Sequence, residues 1–158
     1  MIVSVIVFKL VLKQFGGTNL VEEKEYLKVV TADYTGDISV YGDVVIGQGI
    51  FVRGDVFASS GSVFVRPGAV IRGKVEAGIN IYISKEAKII GQVKAFHVEN
   101  RGEINGNVHK VNFYRSFGGT STGKIEAISV LIGKYGVHRG LIDSMCTKIN
   151  KQGRHFKE

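Results

Sequence analysis

A short Gly-x-Val/Ile step recurs at a nearly constant spacing through most of this 158-residue chain. A repeat of near-constant period that is built on glycine and β-branched residues is typical of a β-solenoid, in which each coil contacts only its neighbours. Such a stack of coils leaves an open strand edge at each end. The repeated glycines are Gly36, Gly54, Gly73, Gly91, Gly106, Gly123 and Gly140.

The two central repeats share one pattern of apolar residues, in which Val63 is equivalent to Ile81 and Ala77 to Ala95. Steps of two positions predict strands whose alternate side chains face a common interior, and one step of four predicts a corner. The glycine allows a second bend, where a Cβ would crowd the adjacent coil. The predicted core positions are Gly54, Val56, Val63, Val65, Ile71, Gly73, Val75, Ile81, Ile83, Ile89, Gly91, Val93, Val98, Ile104, Gly106 and Val108.

The same pattern extends less regularly toward the C-terminus. It places Phe96 inward, with no connector after Ala95, and it places Arg115 and Ser121 inward in the next coil. His138 occupies an inward position at which other coils have Val or Ile. Three aromatic residues of the irregular coil are expected either to repack locally or to lie exposed on a loop: Phe113, Tyr114 and Phe117.

The predicted fold class is all-β, a β-solenoid of about six short coils preceded by a short N-terminal apolar segment. The solenoid is predicted to span residues 31–145. Residues 1–30 form an apolar and charged N-terminal segment, and residues 146–158 form a basic C-terminal tail.

The first eight residues are almost wholly apolar. The stretch is too short, and too soon followed by charge, to span a membrane as a helix, and it lacks the cleavage site of a signal peptide. Two roles remain open: an interfacial membrane anchor, or a helix or strand that caps the first coil. In the first case the membrane contacts are Ile2, Val5, Phe8, Lys9, Val11, Leu12, Lys13 and Phe15.

Residues that would support catalysis or metal binding are scattered. The segment 118–124 has the outline of a phosphate-binding loop, but Ile125 replaces the metal-binding Ser or Thr and the segment lies inside the β-repeat. The four histidines do not converge, and Cys146 has no acidic or His neighbour close in sequence. We therefore predict no catalytic, cofactor-binding or metal site and no cofactor.

Two other classes share the period. A left-handed hexapeptide-repeat enzyme, of the acyltransferase or zinc carbonic anhydrase kind, is the main alternative, although it needs an aliphatic residue every six positions without slippage. A capped trimeric spike of viral or adhesion type is the other alternative.

The chain has a net charge of +7 and a pI near 9.5. A basic surface favours an anionic partner such as lipid headgroups, cell-wall polymer or nucleic acid. The simpler interpretation is that dispersed Lys and Glu residues solvate the outer surface. No specific nucleic acid is expected, because no platform of aromatic and basic residues accompanies the charge.

The segments Val63–Ala77 and Ile81–Ala95 resemble coils of the bactofilin family, and the similarity extends from Gly36 to Val108 and less regularly to Ile142. The resemblance implies a compact right-handed three-faced β-helix that assembles end to end into nonpolar filaments without nucleotide. It also implies a non-enzymatic cytoskeletal scaffold, cytoplasmic and peripheral at the inner membrane, that supports cell shape or wall synthesis. The implied partners are further copies of the chain, an anionic membrane surface and cell-wall-synthesis proteins. The basic tail departs from the family pattern.

Overall fold

The computed structural model describes the backbone of residues 5–9 and 25–157, and the side chains of residues 26–157. These residues form strands and turns without a helix. In chain order the strands are β1 Val5–Lys9, β2 Glu25–Val30, β3 Tyr34–Thr35, β4 Ile38–Val40, β5 Asp43–Ile46, β6 Phe51–Arg53, β7 Val56–Ala58, β8 Val63–Val65, β9 Val70–Arg72, β10 Val75–Ala77, β11 Asn80–Ile83, β12 Lys88–Ile90, β13 Val93–Lys94, β14 His97–Asn100, β15 Glu103–Asn105, β16 Val108–Ser116, β17 Thr120–Thr122, β18 Ile125–Ile132, β19 Val137–Arg139, β20 Ile142–Ile149 and β21 Arg154–Phe156.

From β2 onward the strands stack in parallel on three faces, and each coil visits face 1, face 2 and face 3 in turn. The long strands β16, β18 and β20 run around the corner from face 3 to face 1. Face 1 consists of β2, β5, β8, β11, β14 and the C-terminal halves of β16, β18 and β20. Face 2 consists of β3, β6, β9, β12, β15, β17, β19 and β21. Face 3 consists of β4, β7, β10, β13 and the N-terminal halves of β16, β18 and β20.

The predicted all-β solenoid is confirmed, but the prediction of about six coils is too low, since the chain forms about eight. The first coil begins at Glu25, inside the predicted N-terminal segment. The last coil includes Cys146–Ile149 and Arg154–Phe156, from the predicted tail. Terminal coils of a solenoid face solvent on one side and therefore have polar residues that do not match the apolar repeat.

The core is a set of ladders of β-branched residues. Every Val and Ile in the predicted core set is at most 2% exposed. Val63 pairs with Ile81, which pairs in turn with Val98, so that each side chain packs on the equivalent one of the adjacent coil. Burying one such side chain stabilises a protein by about 1.5–3 kcal/mol. The interior is therefore held by repeated neighbour contacts.

The recurring glycines form their own ladder at the corner between face 2 and face 3. Gly73 has φ of 157° and Gly91 has φ of 155°. A Cβ added to Gly73 would lie 2.1 Å from the carbonyl oxygen of Gly54, and one added to Gly91 would lie 2.1 Å from that of Gly73. Close stacking of the coils at this corner therefore requires glycine.

The residue after each glycine links adjacent coils when it is Asp or Asn. Asp37 Oδ1 accepts a hydrogen bond of 2.8 Å from the backbone N–H of Asp55. Asp55 Oδ1 accepts one of 2.7 Å from Lys74 N–H, and Asn107 Oδ1 accepts one of 2.9 Å from Lys124 N–H. These short polar side chains satisfy backbone donors that the corner would otherwise leave unpaired.

The predicted pattern is wrong at the corner between β14 and β15. Phe96, predicted to be inward, is 51% exposed. Val98 pairs with Ile81, and Asn100 takes the position equivalent to Ile83. Asn100 permits a shorter corner because its Nδ2 donates to Thr120 O at 2.9 Å and its Oδ1 accepts from Gly102 N–H at 3.0 Å.

The same shift of register continues into the next coil. Arg115, predicted to be inward, is exposed, and Tyr114 beside it is fully buried between Val98 and Val130. Ser121 is buried at its predicted inward position. Phe113 and Phe117 lie exposed, as one of the two alternatives proposed, but the coil that contains them is regular.

Candidate assembly surfaces

The interior becomes polar in the C-terminal coils. Asn100 Nδ2 donates to the Tyr114 hydroxyl at 3.2 Å, and Ser116 Oγ donates to Gly119 O at 3.0 Å. Burial raises the pKa of Tyr114, which keeps this hydroxyl protonated. Sequence patterns missed this network because polar residues at inward positions look like breaks in the repeat. The abnormally short step from Gly91 to Gly106 was the available signal.

His138 lies in this polar interior, fully buried at its predicted inward position. Its Nδ1 is 3.0 Å from Ser121 Oγ, and its ring stacks on that of His155 with centroids 5.4 Å apart. Its Nε2 is buried without a hydrogen-bond partner, and burial lowers the pKa of the imidazole. His138 is therefore held neutral inside the protein.

No metal-binding cluster accompanies these histidines. Within residues 5–9 and 25–157, no three His, Cys, Asp or Glu side chains converge in a way that could hold a metal ion. His97 lies on the outer side of face 1, against the edge of the Phe113 ring, and Cys146 is exposed on the last coil. The segment 118–124, which has the outline of a phosphate-binding loop, consists of a corner at Gly118 and Gly119 followed by strand β17.

The C-terminal end of the solenoid exposes backbone edges and an apolar side chain. No described strand pairs with the outer edge of β20 or of β21. Ile149 stacks over Ile132 at an inward position of the last coil, yet it is 43% exposed because no described coil follows. Unpaired N–H and C=O groups on such an edge can pair with a strand of another molecule.

The N-terminal end differs because one of its edges is occupied. Strand β1 pairs antiparallel with β2 on face 1, with Val5 opposite Val30 and Phe8 opposite Leu27. No described strand pairs with the outer edges of β3 and β4. Among the predicted membrane contacts, Val5, Phe8 and Lys9 lie in β1, and Ile2, Val11, Leu12, Lys13 and Phe15 lie outside the described residues.

A stripe of exposed apolar side chains follows the corner between face 3 and face 1. Exposed apolar surface is characteristic of interaction sites, and here the exposed Ser59 and Ser60 interrupt it between Tyr41 and Ile79. Within the stripe, the rings of Tyr26 and Tyr41 are 5.5 Å apart and those of Phe96 and Phe113 are 5.9 Å apart. The stripe contains seven of the thirteen large apolar side chains that are exposed between Tyr26 and Lys157: Tyr26, Tyr41, Ile79, Phe96, Phe113, Ile128 and Met145.

No family model matches the sequence, and searches of curated proteins and of solved structures give no match. In the described part of the chain, no helix is long and apolar enough to cross a membrane.

Proposed function

We propose that this protein is a structural scaffold that assembles end to end into filaments without nucleotide. The observation on which the proposal depends is the C-terminal end, where the last described coil leaves its β-edges unpaired and Ile149 uncovered. Each coil of a solenoid is stabilised by its neighbours, and a second molecule would supply the missing neighbour. Edge pairing and apolar burial would therefore act together at the junction.

The sequence resemblance to bactofilins supports the same function. In this proposal the solenoid is right-handed, the filament is nonpolar, and the scaffold is cytoplasmic at the inner face of the membrane. There it would support cell shape or wall synthesis with further copies of itself and with wall-synthesis proteins as partners. A nonpolar filament needs end contacts between like ends, and two C-terminal ends related by a two-fold axis would provide one such isologous contact.

The test is a pair of substitutions on the last coil. We expect Ile149→Glu to abolish filaments seen by electron microscopy, because it would place a charge at the uncovered inward apolar position of the last coil, which the end contact would bury. Lys148→Glu is the matched control, since Lys148 is exposed beside Ile149 on the same strand, alternates to the opposite side of the sheet and should leave filaments intact. Circular dichroism of both variants verifies that they fold. Filaments of unchanged length in Ile149→Glu would contradict the proposed end contact.

A further inference from the structure

Face 2 and the corner that leads into it from face 1 are together termed the basic face. Ten basic and three acidic residues lie on it, a net charge of +7, whereas residues 26–157 as a whole have 18 basic and 10 acidic residues, a net charge of +8. One of the three faces therefore holds nearly all of the net charge. Its basic residues are Arg53, Arg66, Arg72, Lys85, Lys88, Arg101, Lys134, Arg139, Lys151 and Arg154, and its acidic residues are Asp33, Glu86 and Glu103.

The solenoid register brings these charges close together. Arg53 and Arg72 are direct partners on adjacent strands, and strand neighbours lie about 4.8 Å apart. Two of these ten basic residues have an ion pair in the described structure: Lys88 with Glu103 of the same face, at 3.0 Å, and Arg101 with Glu99 of face 1, at 2.8 Å. The basic face is therefore an array of positive charge that an anionic surface would stabilise.

Aromatic rings lie close to several of these charges. The guanidinium groups of Arg53 and Arg72 lie 5.3 and 5.4 Å from the centroid of the Phe51 ring. At the other end of the face, the guanidinium of Arg139 lies 5.8 Å from the Phe156 ring. A flat sheet that combines basic heads with apolar bodies suits the headgroup region of a bilayer, where each kind of side chain finds its preferred environment.

The charge distribution also discriminates between partners. The rest of the described surface has eight basic and seven acidic residues, so a second copy offers no acidic face to pair with the basic one. The rings of Phe51 and Phe156 each lie close to an arginine guanidinium, so a nucleic-acid base could stack on that side of either ring only by displacing this group. A cleft of about 360 Å³ on this face, lined by Tyr135, Lys151 and Arg154 among others, could accept a headgroup phosphate.

We propose that the basic face is a docking surface for an anionic lipid bilayer. Each Lys or Arg near such a surface contributes about 1 kcal/mol of attraction. The strength of membrane binding rests on the proposed filament. The basic face recurs in every subunit of that filament, so weak membrane binding by one subunit becomes strong through multivalency. The bound sheet lies flat on the membrane, with the apolar corner stripe on a different side of the molecule.

The experiment is co-sedimentation of the full chain with vesicles of phosphatidylcholine alone or with about 30 mol% phosphatidylserine, at about 0.1 M salt. The variant Arg66→Glu/Lys85→Glu/Lys134→Glu reverses three exposed charges on the basic face. The variant Lys74→Glu/Lys110→Glu/Arg115→Glu makes the same change of net charge elsewhere and is the control. We expect wild type and control to bind the anionic vesicles, and the basic-face variant to bind at least about tenfold more weakly.

Three results would overturn the proposal: equal loss in both variants, unchanged binding of the basic-face variant, or equal binding of wild type to neutral vesicles. Tighter binding of wild type to a DNA oligonucleotide than to anionic vesicles, at the same salt, would instead assign the face to nucleic acid. Electron microscopy of both variants separates this proposal from the previous one. Loss of vesicle binding by the basic-face variant, with its filaments retained, supports both the docking surface and the filament. Wild-type protein that binds anionic vesicles without forming filaments contradicts only the proposed filament.

Discussion

A single methyl group at Gly73 should destabilise the solenoid far more than the same group at another glycine with positive φ. In Gly73→Ala the new Cβ would lie 2.1 Å from Gly54 O, about 1 Å inside the closest normal contact, between two coils held by the Gly54 N–H···Arg72 O bond of 3.0 Å. The unfavourable φ costs about 1–2 kcal/mol, and overpacking adds about 1–3 kcal/mol. We therefore expect a loss of about 2–5 kcal/mol in the free energy of unfolding.

Gly49→Ala is the matched control. Gly49 has φ of 68°, and an added Cβ would have no atom within 4 Å, so this variant has only the backbone cost of about 1–2 kcal/mol. In a chain of this size, 1 kcal/mol corresponds to about 2–4 °C in Tm. Thermal and urea unfolding followed by circular dichroism should place Gly73→Ala about 2–12 °C below Gly49→Ala. Equal stability of the two variants would refute the argument that coil stacking selects glycine at this corner.

Three further predictions follow from particular contacts. His138→Val should flatten the pH dependence of the free energy of unfolding. Burial lowers the folded-state pKa of His138, so wild type loses up to about 1.4 kcal/mol of stability per pH unit as the pH falls below about 6.5. An unchanged slope in the variant would contradict this. Asn100→Ala should cost about 2–4 kcal/mol in urea unfolding, because it removes the hydrogen bonds to Gly102 N–H, to Thr120 O and to the buried Tyr114 hydroxyl. The outward Asn80→Ala should cost less than about 0.5 kcal/mol. Removal of residues 1–9 should free the outer edge of β2 and lower the protein concentration at which light scattering detects assembly. A higher threshold concentration than that of wild type would indicate instead that β1 is part of the end contact.

The central coils were predictable because their interior is uniform. Val63, Ile81 and their equivalents repeat at one spacing, since each must lie over the same residue of the adjacent coil. The glycine ladder follows from the same constraint, and the sequence alone indicated that a Cβ there would crowd a neighbour.

In the coil that contains Asn100, the inward positions were predicted two residues too early along the chain, because the short corner at Asn100 was not expected. The step from Gly91 to Gly106 is shorter than the step from Gly73 to Gly91, and the connector alone was expected to absorb this difference. In the structure both the connector before β14 and the corner after Asn100 are shorter than in the preceding coil. A buried amide that closes a tight corner cannot be recognised from apolar periodicity, because it breaks that periodicity.

The terminal coils and the basic face required three-dimensional information. β2 precedes the first Gly-x-Val/Ile step, at Gly36, and β21 follows the last one, at Gly140, so the repeat does not bracket either strand. The basic residues appear scattered along the chain, and only the strand register places them on one face. The pairing of Arg53 with Arg72, at equivalent positions of adjacent coils, was the signal available in the sequence.

The central claim is that purified protein forms filaments whose subunits continue the solenoid end to end. Eight coils at about 4.8 Å predict an axial subunit length of about 38 Å. Electron microscopy of the full chain without ATP or GTP should therefore show unbranched filaments with subunits spaced at about this length and an axial repeat of about twice this length, because like ends meet in a nonpolar filament. Protein that stays monomeric by light scattering at high concentration and low salt, or that forms a closed trimer, would contradict the claim.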